Sequence, residues 1–354
     1  MTGKDRKLVG IWLLAGAVMI LIQVIIGGIT RLTESGLSIT EWEVVTGTLP
    51  PLNENQWQVE FNKYQESPEY QKRNVGMSLS EFKFIYFWEY LHRLWARLLG
   101  FVFLIPFLYF LIKKKMDRLT IRKSLVAFLL GGLAGLFGWI MVISGLQDRP
   151  MVSPYRLAIH LAIAIGTLLY LLWIAMQQLT PRDPLAHQLQ AVKRFSTGLI
   201  VLTVIQVLFG ALMSGMEAAK VYPTWPDMNN AFIPGILLES NNWSWNAFVN
   251  FNKDALPHAL VNFVHRNMGY IIFILGLLFT YQGFKKGTPT GITRKAVALV
   301  PIILFTQVLL GILTILHGTA HIPVFLGVAH QGLAILFLAV LLVINYRTSA
   351  HVTA

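Results

Sequence analysis

Trp88-Glu89-Tyr90-Leu91-His92-Arg93-Leu94 opens an apolar run that reaches Ile112, and Val261-Asn262-Phe263-Val264-His265-Arg266-Asn267 opens another that reaches about Gln282. A membrane-crossing helix needs about 20 mostly apolar residues, and both runs have that length with a His-Arg pair close to the start. Six further windows qualify, so eight spans are expected, at roughly 8–28, 88–112, 124–144, 156–179, 196–216, 258–282, 296–316 and 325–346. The predicted fold class is an all-α integral membrane protein with eight transmembrane helices. Of 354 residues, 55% are hydrophobic and 13% charged, and mean hydropathy is +0.58. A soluble domain carries about twice that share of charge, which argues against a soluble enzyme.

The formal net charge of +12 comes from 29 Lys and Arg against 17 Asp and Glu. These basic residues sit in short clusters between apolar runs, a pattern that suits membrane lipid and not nucleic acid. Seventeen lie on the side of the termini and nine on the other side, so the positive-inside rule predicts both termini in the cytoplasm. Lys4, Arg6 and Lys7 precede a first run that continues to about Gly28 without an A-x-A cleavage site, which predicts a retained helix. No long Arg- and Ser-rich leader precedes it, which favours a bacterial inner (cytoplasmic) membrane over an imported organellar protein. Two external loops, about 29–87 and 217–257, are rich in Trp, Pro, Asn and Glu, as segments that cap a bundle or form an entrance usually are.

The chain repeats itself at an offset of 170 to 183 residues. Gln23-Val-Ile-Ile-Gly27 returns as Gln206-Val-Leu-Phe-Gly210, and Trp42 with Pro51 as Trp225 with Pro234. Leu91-His92-Arg93 returns as Val264-His265-Arg266, Ile143-Ser144-Gly145 as Leu316-His317-Gly318, and Ile159-His160 as Ala329-His330. The unit is four helices. An even number makes both copies enter the membrane from the same side, giving two tandem pseudo-symmetric four-helix bundles related by an axis along the membrane normal. The expected division is 1–180 for the first bundle and 181–354 for the second.

Cys is absent, so disulfides and thiolate sites are excluded and a metal must be held by His, Met or carboxylate. His92, His160, His265 and His330 sit near the external starts of spans two, four, six and eight, roughly one to two turns below the surface. A single such His is most simply a hydrogen-bonded core residue. Four at matched depth in a duplicated pattern point to function, because ionisable residues inside membranes are rare. Two facing imidazoles in an apolar bundle suit axial ligation of a haem. Gly131, Gly132, Gly135, Gly138 and Gly311 would admit a flat ligand close to the backbone, or serve helix packing. Arg93, Arg97 and Arg266 are candidates for the haem propionates, or snorkel to external headgroups.

Glu89 precedes His92 by three residues and so shares its helix face, while the matching residue of the second copy is Asn262. A carboxylate there suits proton transfer in a reactive first half beside a permanent redox cofactor in the second. A salt bridge to Arg93 is the structural alternative. A third reading takes Glu89, His92 and His160 as a two-His-one-carboxylate iron site. His258, His317 and His321 are external, with His317 and His321 spaced for a metal, and His187 and His351 read as solvated cytoplasmic residues.

These residues resemble those of the haem A synthase family over nearly the whole chain. The resemblance rests on Gly27-Gly28-Ile29-Thr30-Arg31-Leu32-Thr33-Glu34-Ser35-Gly36-Leu37-Ser38, on Glu89-x-x-His92-Arg93, on Pro223-Thr224-Trp225-Pro226 and on the four paired histidines. Many bacterial members carry a Cys pair in the first external loop, which this chain lacks, so it looks like the Cys-free subgroup that includes the mitochondrial-type enzymes. The resemblance implies an oxidoreductase that hydroxylates the C8 methyl of haem O twice, giving a diol that loses water to the formyl group of haem A. It implies His92 and His160 as ligands of the substrate haem with Glu89 as a catalytic neighbour, and His265 and His330 as ligands of a haem b. It also implies haem O synthase, the prenyltransferase, as a partner and haem-copper oxidases as destination. The electron donor stays unidentified, and lipid-facing small residues permit a homo-oligomer. The alternatives are a di-haem b electron-transfer cytochrome and a haem carrier or assembly protein.

Overall fold

A computed structural model describes residues 1–41, 49–146, 150–285 and 289–350; Trp42 and His351 fall outside them. Among these residues the chain is helical throughout its regular structure: α1 (Gly3–Leu32), α2 (Glu54–Gln65), α3 (Pro68–Lys72), α4 (Leu79–Ile112), α5 (Arg118–Leu146), α6 (Pro154–Leu179), α7 (Gln190–Met216), α8 (Ala218–Val221), α9 (Trp245–Val249), α10 (Ala255–Lys285), α11 (Gly291–Leu316) and α12 (Val324–Thr348), with short 3-10 turns between α8 and α9. Eight of them, α1, α4, α5, α6, α7, α10, α11 and α12, are long and apolar enough to cross a membrane. The chain is a multi-pass membrane protein.

Helix ends follow local chemistry. Thr2 caps α1 through the Asp5 N–H, and Pro154 opens α6 at a position where a missing N–H costs nothing. At α4 the structure departs from the expected start near residue 88. Ser78 and Glu81 form a reciprocal capping box at the helix N-terminus, and the extra turns carry Phe82, Ile85 and Tyr86. Those residues pack with Phe61 and Tyr64 of α2 in an aromatic cluster beyond the apolar part of the helix, so part of the segment between α1 and α4 is folded.

Packing pairs recur between the two halves. Helix α1 packs against α4 and α6, as α7 packs against α10 and α12, and α5 lies on α6 as α11 lies on α12. One core joins Val9, Leu13, Phe103, Ala127 and Leu168; a second joins Leu199, Ile272, Val300, Leu304 and Leu341. Helix α6 meets α7 and α12 through Ile165, Val207 and Leu338, and α1 meets α12 where Gln331 donates to the Val24 carbonyl at 3.1 Å. The outward faces stay apolar, with Leu129 on α5 and Phe305 on α11 exposed, as a surface bathed by lipid requires.

The halves differ at one seam. On α10, Gly276 receives the side chain of Leu304 from α11. The residues at the same places in the first half are Phe103 and Gly131, and Phe103 turns to stack on Trp12 of α1 at 4.5 Å, while nothing lies within 4 Å of where a Gly131 side chain would start. Helix α4 accordingly leans on α1 more than on α5.

Candidate haem site

The four spans bring the four histidines inward, and each ring rests on a glycine of the helix before it. A Cβ on Gly27 of α1 would stand 2.9 Å from His92 Cε1; one on Gly138 of α5 would stand 3.0 Å from His160 Cε1. In the second half, the distances are 3.2 Å from Gly210 of α7 to His265 and 2.9 Å from Gly311 of α11 to His330. At Gly27 and Gly311 a side chain would force the ring to shift, and at Gly138 and Gly210 it would press the ring by a few tenths of an ångström. Gly138 and Gly311 were expected near a flat ligand; what lies over them is imidazole. Among the expected glycines, Gly131, Gly132 and Gly135 have no neighbour there within 4 Å.

A second layer was missed in the sequence. Four residues before three of these glycines stands a glutamine, on the same helix face. Gln23 Nε2 donates to the His92 carbonyl at 3.1 Å, Gln206 to the His265 carbonyl at 2.8 Å, and Gln307 to the His330 carbonyl at 2.9 Å. Gln23 and Gln307 also approach the ring nitrogens. The fourth place is Ala134. His160 Nδ1 donates to the Ala134 carbonyl at 2.9 Å, as His330 Nδ1 donates to the Gln307 carbonyl at 3.0 Å. A helical side chain covers the turn before it, so Gly138 and Gly311 uncover those two carbonyls. The bond commits Nδ1 as the protonated nitrogen and leaves Nε2 as the ligating one, which is how metal-bound histidines are usually oriented. The signal available in the sequence was the spacing Gln-x-x-x-Gly, present three times.

These residues fit a haem between paired imidazoles. The rings of His265 and His330 lie 6.3 Å apart between centroids, inclined at 67°. Two metal–imidazole bonds of about 2 Å, with the half-width of each ring added, span about 6 Å. Among the described residues, buried Gln23 Oε1, Gln206 Oε1, Gln307 Oε1 and His265 Nδ1 have no hydrogen-bond partner. Such orphans are rare in finished interiors.

Glu89 is 3% exposed. Its Oε1 pairs with Arg93 at 2.5 Å, and its Oε2 accepts from Ser38 Oγ at 2.7 Å and the Ile39 N–H at 2.8 Å. The ion pair with Arg93 is thus formed, and the carboxylate ties α4 to the segment after α1. Asn262 does the same without charge, donating to the Ala218 carbonyl at 3.2 Å and accepting from Arg266 at 3.3 Å. Among the described residues no three His, Cys, Asp or Glu groups converge on a metal position. The two-His-one-carboxylate arrangement of Glu89, His92 and His160 is therefore not formed, because Glu89 is turned to Arg93 and Ser38.

Arg93 and Arg266 reach the loops between α1 and α4 and between α7 and α10. Arg93 donates to the carbonyls of Ile39 and Glu41, and Arg266 to those of Pro226 and Asp227. Arg97 lies one turn beyond Arg93 on α4. His317 and His321 are exposed, His317 donating to its own helix at Leu313. His258 is engaged by the Asp254 carbonyl, and His187 is exposed, in keeping with a solvated residue.

Comparison with known proteins adds to this geometry. The family described as cytochrome oxidase assembly protein matches residues 10–342. The chain is similar to proteins named Heme A synthase: 41% identical to that of Flavobacterium psychrophilum, covering 95% of this chain and 96% of the relative. Similarity to the protein from Nitrosospira multiformis is 41% over 97% and 94%, and to that from Brucella ovis 39% over 95% and 90%.

Proposed function

The chain belongs to the cytochrome oxidase assembly protein family, and on that premise we propose that it is a haem A synthase, an oxidoreductase that turns the C8 methyl of haem O into the formyl group of haem A. The observation that carries this is the fourfold seat of histidine on glycine, repeated in both halves with a carboxylate in the first half alone. The protein is two four-helix bundles, 1–180 and 181–354, set in a bacterial inner membrane with both termini cytoplasmic.

His265 and His330 are the residues that would hold haem b, whose chemistry when bound is one-electron transfer. His92 and His160 grip the iron of the substrate haem O. Two successive hydroxylations of its methyl, each a two-electron oxidation of the carbon, give a diol, and loss of water leaves the aldehyde; with dioxygen as the oxygen source a donor outside this chain supplies two further electrons per hydroxylation, and with water an acceptor outside it takes two. Gly27 and Gly138 set how near the imidazoles stand to their helices, and Gln23 holds the backbone of His92. Glu89 lies one turn from His92 and acts as a proton-handling group. Its route outward is the Ser38 hydroxyl, with Arg93 fixing the carboxylate. Arg93, Arg97 and Arg266 stand on the external side, where propionates need cations. Haem O synthase is the expected supplier of substrate.

Expression with a haem O source in a host lacking haem A, followed by mass identification of the extracted haems, tests this reading. Haem A or hydroxylated haem O supports it. Haem B alone, at about two per chain, overturns it in favour of an electron-transfer cytochrome, and unchanged haem O bound without turnover favours a carrier.

A further inference from the structure

The duplication supplies an internal control for each histidine, and the four are not equally held. His92 and His265 match: each has a glutamine, Gln23 or Gln206, donating to its backbone carbonyl. His160 and His330 do not. His330 is joined to position 307 by two bonds in opposite directions, its Nδ1 to the Gln307 carbonyl and the Gln307 side chain back to its own carbonyl. His160 has the first bond, to the Ala134 carbonyl, and position 134 has no side chain with which to return it.

We propose that Ala134 makes His160 the exchangeable ligand, so that the first half accepts and releases its haem while Gln307 keeps the haem of the second half in place. The proposal rests on the bis-histidine reading above. The chemistry of the two halves calls for this difference, since a substrate must leave as product and a cofactor must stay. Position 134 is a positioning residue; it acts through His160. Gln307 is accommodated one turn before Gly311, whose face carries the His330 ring, and Ala134 stands in the same relation to Gly138 and the His160 ring.

The test is the rate at which the purified full-length chain, carrying haem O in the first half and haem B in the second, loses its haems to excess apomyoglobin, followed at the Soret band and by the mass of the haem transferred. Wild-type protein should lose haem in two phases, the fast one absent in His160→Ala and the slow one absent in His330→Ala. One net hydrogen bond corresponds to about fivefold in rate, so Gln307→Ala should speed the slow phase about fivefold and leave the fast one alone. Ala134→Gln should slow the fast phase by a similar factor, a gain of retention that mere structural damage does not produce. Unchanged phases in Gln307→Ala overturn the proposal, as does faster loss in Ala134→Gln from protein that elutes normally. If Ala134→Gln fails to fold, Gln307→Ala decides alone. A low-spin bis-histidine haem spectrum that persists in a chain lacking both His92 and His330 overturns the bis-histidine reading itself, and the proposal with it.

Discussion

Gly311 on α11 lies directly beneath the ring of His330 on α12, so close that a Cβ would come within 2.9 Å of the imidazole. The absence of a side chain does two things at once: it admits the ring against the helix, and it bares the Gln307 carbonyl that fixes the ring's protonated nitrogen. Gly138 does both for His160 and the Ala134 carbonyl, while Gly27 and Gly210 admit the rings of His92 and His265.

Gly311→Val should displace His330 and lose one haem per chain, the one whose retention does not depend on haem O. Overpacking of this kind costs about 1–3 kcal/mol, which an eight-helix protein survives, so elution on gel filtration should be unchanged. Pyridine haemochrome content per chain checks it. A variant that keeps its full haem complement would mean that the ring is not held by its seat.

Glu89→Ala should leave the second-half haem bound and reduce haem A formation at least tenfold, measured by mass analysis of extracted haems. Asn262→Ala removes the matched tie in the other half and should leave product formation within about twofold. Removing one member of a buried ion pair destabilises by about 3–5 kcal/mol, so the comparison is made at equal amounts of folded protein. Equal effects of the two variants would make Glu89 a structural tie, as Asn262 is.

Eight helices and four histidines inside them could be read from the sequence because burial in lipid leaves a one-dimensional mark: long apolar runs, and ionisable residues that stand out within them. What escaped was set by tertiary contact. The start of α4 at Leu79 was hidden because Phe82, Ile85 and Tyr86 are spaced among Glu81 and Lys83, polar enough to read as loop until α2 packs on them. The partners of Glu89, Ser38 and Ile39, lie some fifty residues away in sequence. Gln23, Gln206 and Gln307 looked like ordinary polar residues of apolar helices, and only the ring above each glycine gives their spacing a meaning.

Glu217 joins the halves at the end of α7, 3.5 Å from Arg73, 3.2 Å from Lys220 and 3.9 Å from Arg31. Burial pushes its carboxyl up, yet Arg31, Lys220 and Arg73 outweigh that and hold it below its ordinary value. Stability from this group is therefore present above pH about 4.5 and lost as pH falls through the lowered value. Glu217→Gln should lower Tm by about 1–2 °C at neutral pH, a loss of about 1 kcal/mol, and the difference should shrink in high salt. A salt-independent difference would mean that packing at the α7 terminus, not charge, links the halves.

Glu69 gives the opposite sign. It is 4% exposed beneath the aromatic cluster, and burial, with Glu89 and Glu34 adding to it, pushes its carboxyl up to about 8 against the pull of the Tyr64 hydroxyl at 3.1 Å and of Arg73. The folded protein thus holds a proton that the unfolded chain releases near 4.5. Between those values the native state binds more protons, so the stability of this cluster falls as pH rises from about 4.5 to about 8 and levels off above. Glu69→Gln mimics the protonated acid and should flatten that slope, leaving the variant more resistant to proteolysis in the 49–80 segment at pH 8 and little changed at pH 5. Proteolysis that rises with pH equally in both proteins would place the titrating group elsewhere.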